Sequence, residues 1–354
     1  TRAIIDLSAI SHNYRLAKTL ASHSNAVAVI KADAYGHGAV RVALAMESEV
    51  PAFGVACIEE ALELREGGVK KPILLLEGFF TADELSLIAE HDFWTAVHRI
   101  EQIAMLEDAQ MAAPVNVWLK LDSGMHRLGV DAKDYRLAYE RLKACNNVAD
   151  VVLMSHLACA DELDKPYTLQ QSELFDQTVA GLDAKQSIAN SPATLGWPAL
   201  HRDWIRPGLM LYGASPFEEA QVNADRLMAA MTLESEVIAI HELQAGDAVG
   251  YAASYVCDKD TRVGTVAIGY GDGYSRSAGT GTPVIVNGQR ARIIGRISMD
   301  MCAVDLTGLT DVDVGSKVEL WGRQLSVNEV ARHCGTIPYT LFTGVTKRVP
   351  RHYI

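Results

Sequence analysis

The sequence predicts an α/β protein: an N-terminal (β/α)8 barrel of the TIM type followed by a C-terminal, mostly-β domain. Three observations carry this. Eight short apolar runs alternate with amphipathic helical stretches between positions 27 and 209. After about Thr232 the helical periodicity fades and short β-rich runs separated by turn residues take over. A length of 354 residues has room for about two domains. The expected division is 1–232 for the barrel and 233–354 for the second domain.

The eight runs are VAVIK (27–31), AFGVAC (52–57), PILLLE (72–77), FWTAVH (93–98), VNVWLKLD (115–122), DVVLMSHLA (150–158), QSIANS (186–191) and WIRPGL (204–209). Their Val, Ile and Leu content fits strands buried on both faces. Between them, IEEALELREGG ends on Gly67-Gly68, a helix C-terminal signal. TADELSLIAEH opens with Thr81 and carries Glu84 three residues later, the pattern of a capping box. YRLAYERLKAC has apolar residues at helical spacing. The same alternation permits an open doubly wound sheet, and the strand count favours the barrel. In the second part ESEVIAI, TRVGTVAIGY, TPVIVNG, ARIIGRI, MCAVDL and KVELWG read as strands, punctuated by AGD, GDG and NGQ turns.

Composition narrows the function classes. Lys+Arg number 32 and Asp+Glu 44, a formal charge of −12. An acidic chain lacks the basic footprint of a nucleic-acid binder and the polybasic segments of a membrane-surface protein. No window has the length and apolarity of a membrane span. The six cysteines form no CxxC pair and no His cluster accompanies them, so neither a zinc site nor any other metal site is expected. Their scatter and low density fit reduced thiols and a cytoplasmic location.

In a parallel barrel, function gathers at the C-terminal ends of the strands. That rule selects Lys31 and the ADAYGHG that follows it, then Lys120 and Asp122, Ser155-His156, Asn190-Ser191, and Arg206-Pro207-Gly208. Lys31 follows four apolar residues. Desolvation there favours the neutral amine, which can form a Schiff base with an aldehyde; a lysine snorkelling to water is the alternative. Ser191 and Gly208 follow the seventh and eighth strands, the usual phosphate position in barrels, although Ser191-Pro192 also fits a helix N-terminus. A phosphate-bearing aldehyde on Lys31 would be pyridoxal phosphate. Side-chain acid–base catalysis supplies roughly 3–5 kcal/mol, and Cα deprotonation of an amino acid needs the further stabilisation that such a cofactor provides.

The runs AVIKADAYGHG, LKLDSGMHRLG, MSHLACADE, ANSPATL, WIRPGLMLYG, VGYAASY, AIGYGDGY and GRISMDMCAVDL resemble, in order, those of bacterial alanine racemases. The similarity extends from IDLSAISHN to the closing RVPR. It implies a homodimeric enzyme that interconverts L- and D-alanine, each active site joining one subunit's barrel mouth to the other's β domain. D-alanine would feed cell-wall synthesis or, in reverse, be catabolised.

By the same resemblance Lys31 holds pyridoxal phosphate; Tyr35, Ser191, Gly208, Leu209 and Tyr339 contact its phosphate; and Asn190 and His156 belong to the cofactor site. Arg206 faces the pyridine nitrogen. Because arginine stays protonated, the ring stays neutral, which favours proton exchange over transamination or decarboxylation. Lys31 and the partner's Tyr251 would be the two proton carriers, lysine serving the D-enantiomer and tyrosine the L-enantiomer. Read alone, Tyr251 fits better as a strand aromatic packing a β face. A phenol with an ordinary pKa near 10 needs positive charge or hydrogen bonds to act as a base, and His156 backed by Arg206 is the implied support. Arg127 would hold the cofactor's phenolic oxygen and help orient the substrate carboxylate, with Lys120 as a candidate for carbamylation that steadies it. Met299 and Tyr270 would bind that carboxylate from the partner, with Asp300 alongside. Asp161, Arg276, Arg296 and Ile337 match the residues around the entrance.

Three positions depart from the family pattern: Ser298 for cysteine, Ala252 for glycine after Tyr251, and Pro192 after Ser191. A racemase of serine or of a broad range of amino acids is the nearest rival, and Tyr35, Ile337 and Tyr339 would leave little room beyond a methyl group. A barrel decarboxylase and a non-catalytic pyridoxal-phosphate carrier are the others.

Overall fold

The computed structural model describes all 354 residues. The chain opens with β1 (Arg2–Ile5) and α1 (Leu7–Leu20). Asp6 caps α1: its carboxylate accepts from the Ala9 N–H at 3.1 Å. The expected alternation then follows as β2 (Asn25–Val29), α2 (Lys31–Gly36), α3 (Ala39–Met46), β3 (Ala52–Val55), α4 (Ile58–Glu66), β4 (Ile73–Leu75), α5 (Glu84–Glu90), β5 (Phe93–Val97), α6 (Ile100–Asp108), β6 (Val115–Lys120), α7 (Ala132–Ala144), β7 (Val148–Met154), α8 (Tyr167–Val179), β8 (Lys185–Ser187), α9 (Ser191–Gly196) and β9 (Trp204–Ile205).

Strands β2 to β9 form one parallel sheet in the order β8-β7-β6-β5-β4-β3-β2-β9. Its two ends meet. The Arg206 N–H donates to the Ala189 carbonyl at 2.9 Å, and the Ser187 hydroxyl donates to the Trp204 carbonyl at 2.9 Å. The barrel predicted from the strand count is therefore present, and the open doubly wound sheet is not. Its interior is packed by Val27, Ala52, Leu74, Ala96, Trp118, Val152, Met154 and Trp204, with the Trp118 and Trp204 rings 5.6 Å apart. Side chains alternate across a strand with period two. The inward series Trp118–Lys120, Val152–Met154–His156 and Trp204–Arg206–Gly208 thus run from the packed floor to the barrel mouth.

The second unit begins at β10 (Met231–Leu243) and contains β11 (Ala248–Val249), β12 (Tyr255–Val256), β13 (Thr261–Val266), β14 (Pro283–Val286), β15 (Gln289–Ile294), β16 (Cys302–Asp305), β17 (Lys317–Trp321), α10 (Val327–His333), α11 (Pro338–Gly344) and β18 (Arg351–Tyr353). β10, β17, β14, β15, β16 and β13 pair in a closed ring, because the long β10 pairs with β17 over its first half and β13 over its second. β1 pairs with the start of β10 on the edge opposite β17, ahead of β13, and β18 pairs parallel to β1. The first strand of the chain therefore belongs to the second sheet, which the division at 232 does not anticipate. Local pattern cannot reveal this, since its partners lie more than 200 residues away. The helix around Glu84 also begins two residues later than the capping box implies, with Asp83 at its N-cap. Glu84 does reach back, accepting from the Phe80 N–H at 3.2 Å and the Thr81 N–H at 3.4 Å, but the Thr81 hydroxyl makes no reciprocal bond.

Candidate active site

Lys31 stands where β2 gives way to α2 at the barrel mouth. The turn that follows is left-handed: Ala32, Asp33, Ala34 and Tyr35 all have φ of 52° or 53°. A left-handed helical conformation costs about 1–2 kcal/mol per residue with a Cβ, so neighbours must hold it. The Glu60 carboxylate, from α4, accepts from the Ala32 N–H at 2.6 Å and from the Ala56 N–H at 2.7 Å. The His37 ring lies with Nδ1 3.0 Å from the Ala34 carbonyl and 2.9 Å from that of Tyr35. Asp33 accepts from the Ala39 N–H at 2.7 Å, and Arg351 donates to the Gly36 carbonyl at 3.2 Å.

The turn borders a cavity of about 700 Å³ at the mouth. Twelve residues expected from the sequence line it together: Lys31, Tyr35, Lys120, Arg127, His156, Asn190, Ser191, Arg206, Gly208, Leu209, Ile337 and Tyr339. Ile337 and Tyr339 arrive from the second unit of the same chain, where α11 packs against α2 and the Tyr35 and Tyr339 rings are 5.7 Å apart. Asp161 lies near enough for its charge to help burial raise the Tyr339 phenol to about 12. Asn190 is the N-cap of α9, accepting from the Ala193 N–H at 3.2 Å, and Pro192 sits in the first turn, where its missing N–H costs nothing. This leaves the Ser191 hydroxyl, which accepts from the Gly208 N–H at 2.8 Å, at the mouth. A Cβ on Gly208 would fall 2.7 Å from the Tyr35 hydroxyl, so glycine lets that hydroxyl approach the backbone.

Four cations, Lys31, Lys120, Arg127 and Arg206, line this cavity against one carboxylate, Glu77. Arg206 is buried. Its guanidinium donates to the Ser155 carbonyl at 2.6 Å and to the Ser187 hydroxyl. Burial lowers its pKa to about 10, so it remains protonated at neutral pH. Burial also pushes the Lys120 amine down to about 8, helped by the charges of Arg206, Arg127 and Lys31. The His156 imidazole is held well below its usual range by burial and by the same cations. It is therefore neutral at pH 7. In that form His156 can give a hydrogen bond but no charge. Arg127 rides on a loop pinched at its neck by Val130 N–H to Lys120 carbonyl (2.8 Å) and Asp122 N–H to Val130 carbonyl (3.1 Å). The Asp122 carboxylate accepts from the Gly124 and His126 N–H groups at 3.0 Å each.

Tyr251, Tyr270 and Met299 do not line this cavity. They lie on the second unit, at 70%, 39% and 52% exposure; Arg276 and Arg296 are exposed there too. Their loops adjoin: the Tyr270 N–H donates to the Ser298 carbonyl at 3.0 Å and the Gly271 N–H to the Met299 carbonyl at 2.8 Å. Ala252, next to Tyr251, has φ 60°, a left-handed conformation that glycine would adopt more easily. Sequence reasoning passed over Glu60 and Glu77. Glu77 ends the PILLLE run, so the strand-end rule that selected Lys31 could have found it. Glu60 carries no such signal, because its role depends on the packing of α4.

A parallel barrel that gathers a lysine, a buried arginine and the Ser191–Gly208 hydrogen bond at its mouth, joined to a separate β domain, has the architecture of a two-domain enzyme with a barrel-mouth site. The chain matches the family profile described as alanine racemase, N-terminal domain, over residues 5–216, and that of the C-terminal domain over 230–353. It is 59% identical to an alanine racemase of Pseudomonas taetrolens over all of this chain and 98% of the relative. It is 58% identical to a catabolic alanine racemase of Pseudomonas putida at the same coverage. Among solved structures, the biosynthetic alanine racemase of Pseudomonas aeruginosa superposes with a TM-score of 0.96 at 48% identity, covering 100% of this chain and 99% of that one. An alanine racemase of Bartonella henselae, with covalently bound pyridoxal phosphate, gives 0.89 at 30% identity, with 100% and 99% covered. The chain belongs to the alanine racemase family, and its reaction is the interconversion of L- and D-alanine. No helix is long and apolar enough to cross a membrane.

Proposed function

We propose that this racemase works with pyridoxal phosphate on Lys31 and moves the substrate's α-proton between two carriers, Lys31 on one face and the partner subunit's Tyr251 on the other. The observation that carries this reading is the Lys31 amine, which makes no hydrogen bond or ion pair of its own, in a cavity whose cations outnumber its carboxylates. The residues fit the cofactor. Tyr35, Ser191, Gly208, Leu209 and Tyr339 would hold a phosphate, with Asn190 fixing the start of α9. Arg206 would face the ring nitrogen as a donor that cannot accept a proton, and His156 would lie against the ring as a neutral imidazole. When bound, the cofactor supplies an electron sink that acidifies the substrate's Cα–H.

The chain's own residues do the rest. Lys31 takes or returns the α-proton of D-alanine, and Tyr251 that of L-alanine. Arg127 orients the substrate carboxylate from the barrel side; the partner's Met299 N–H and Tyr270 hydroxyl meet it from the other. Neither of those donors has an intrachain acceptor. Asp161 and Ile337, with the partner's Arg276 and Arg296, would narrow the entrance. Lys120 is the candidate for carbamylation, in which its neutral amine adds carbon dioxide and releases a proton; its lowered pKa favours that form. The exposure of Tyr251, Tyr270 and Met299 on the second unit supports a homodimer with shared sites. The six separated thiols support a cytoplasmic setting.

The test is to incubate the enzyme with L-alanine, L-serine and L-lysine separately in deuterated water and follow enantiomer ratio and Cα deuterium. Racemisation with deuterium uptake for alanine alone is expected. Lys31→Ala should lose this exchange together with the absorbance band of the bound cofactor. Exchange retained by that variant would remove Lys31 from its role, and comparable turnover of serine or lysine would refute the narrow pocket.

A further inference from the structure

Two short loops carry Tyr270 and Met299, and a third segment ties them together. Arg348, in the segment between α11 and β18, places Nε 3.1 Å from Asp272 Oδ1 and Nη2 2.6 Å from Asp300 Oδ1. Asp272 is buried, and its other oxygen accepts from the Gly269 N–H at 2.9 Å. A Cβ on Gly271 would lie 2.8 Å from Arg348 Nη1. The guanidinium thus lies along the loop backbone where glycine gives it room. The segment is itself anchored: the Thr346 N–H donates to the Asp272 carbonyl at 3.0 Å, its hydroxyl donates to the Gly271 carbonyl at 3.1 Å, and Arg351 donates to the Thr346 and Val349 carbonyls.

We infer that Arg348 is a positioning residue for the substrate-carboxylate end of the shared site. This rests on the reading that Tyr270 and Met299 complete the partner's cavity. The reason is charge as well as geometry. Asp272 and Asp300 put two carboxylates beside donors meant for a third, and Arg348 cancels one of them while fixing the separation of the two loops. Without the guanidinium, an anionic substrate meets two uncompensated negative charges, and Asp300 is free to compete for the same donors. The carboxylate is common to both enantiomers, so the effect falls on both directions of the reaction.

Steady-state kinetics of Arg348→Met should give a KM raised about tenfold for both L- and D-alanine, with kcat within about threefold. Adding Asp300→Asn to that variant should bring KM back several-fold, a rescue that a purely structural arginine would not give. If Arg348→Met does not fold, Arg348→Lys carries the test: it keeps the charge and loses the fork, so KM should rise less and fall again with Asp300→Asn. An unchanged KM in the folded variant, or a raised KM that Asp300→Asn leaves untouched, overturns the proposal. Tyr270→Phe separates the two claims. If it raises KM and the Arg348 variants do not, only the role of Arg348 fails; if it has no effect, the shared-site reading of Tyr270 fails.

Discussion

His37 is fully buried, packs against Tyr212 with ring centroids 4.5 Å apart and planes tilted by 34°, and lies edge-on to Phe342 at 4.9 Å. Its Nδ1 faces the Ala34 and Tyr35 carbonyls, which makes Nδ1 the protonated donor and leaves Nε2 without a partner. Burial lowers its pKa to about 4, while hydrogen bonds to the two carbonyls oppose the shift. The folded protein therefore refuses a proton that the unfolded chain accepts below about pH 6.5. Stability is fully present above that pH and is lost as pH falls toward about 4, by up to about 1.4 kcal/mol per pH unit. His156 acts in the same direction. Urea melts of wild type should weaken steadily over this range. In His37→Asn, which keeps an amide donor for the carbonyls but does not titrate, the slope should be shallower; identical slopes would remove His37 from the account.

At the scale of the element, the left-handed turn after Lys31 depends on partners from other elements. Its four residues carry a Cβ in a region that L-residues avoid. Glu60 bridges it to the end of β3 with both carboxylate oxygens in use. Glutamine offers one carbonyl oxygen, so Glu60→Gln must leave an N–H of Ala32 or Ala56 without its acceptor. A loss of about 1–2 kcal/mol in stability is expected from the unmet donor. Weaker uptake of pyridoxal phosphate should follow, measured by absorbance titration of the stripped enzyme. Normal uptake in a destabilised variant would mean that Glu60 supports the fold without placing Lys31.

The whole molecule divides its proposed chemistry between two places. The Lys31 cavity lies in the barrel mouth, and Tyr251, Tyr270 and Met299 lie on an exposed face of the second unit. If a dimer brings these together, each subunit donates a half to each of two sites. Lys31→Ala and Tyr251→Ala homodimers should both be inactive. Exchange of their subunits should yield hybrids with one intact site of two. With random pairing, half the dimers are hybrids, so about a quarter of wild-type activity should return. No recovery, with subunit exchange verified by mass, would place Tyr251 in its own chain's site.

Much of the barrel site was legible because its signals are local. A strand's period of two and its C-terminal end placed Lys31, Lys120, His156, Arg206 and Gly208 at one mouth, and the change of texture near Thr232 marked the second sheet. What needed the tertiary structure depends on contacts distant in sequence. β1 joins a sheet whose other strands begin at Met231. Ile337 and Tyr339 return to the cavity only because α11 packs on α2. Glu60 and Arg348 act through backbone groups that no spacing rule connects to them. Periodicity records which face a residue takes, and it is silent on which distant backbone that face will meet. The sequence by itself thus determined the barrel, its β companion and the strand-end residues, while packing alone decided what holds Lys31 and the Tyr270 and Met299 loops in place.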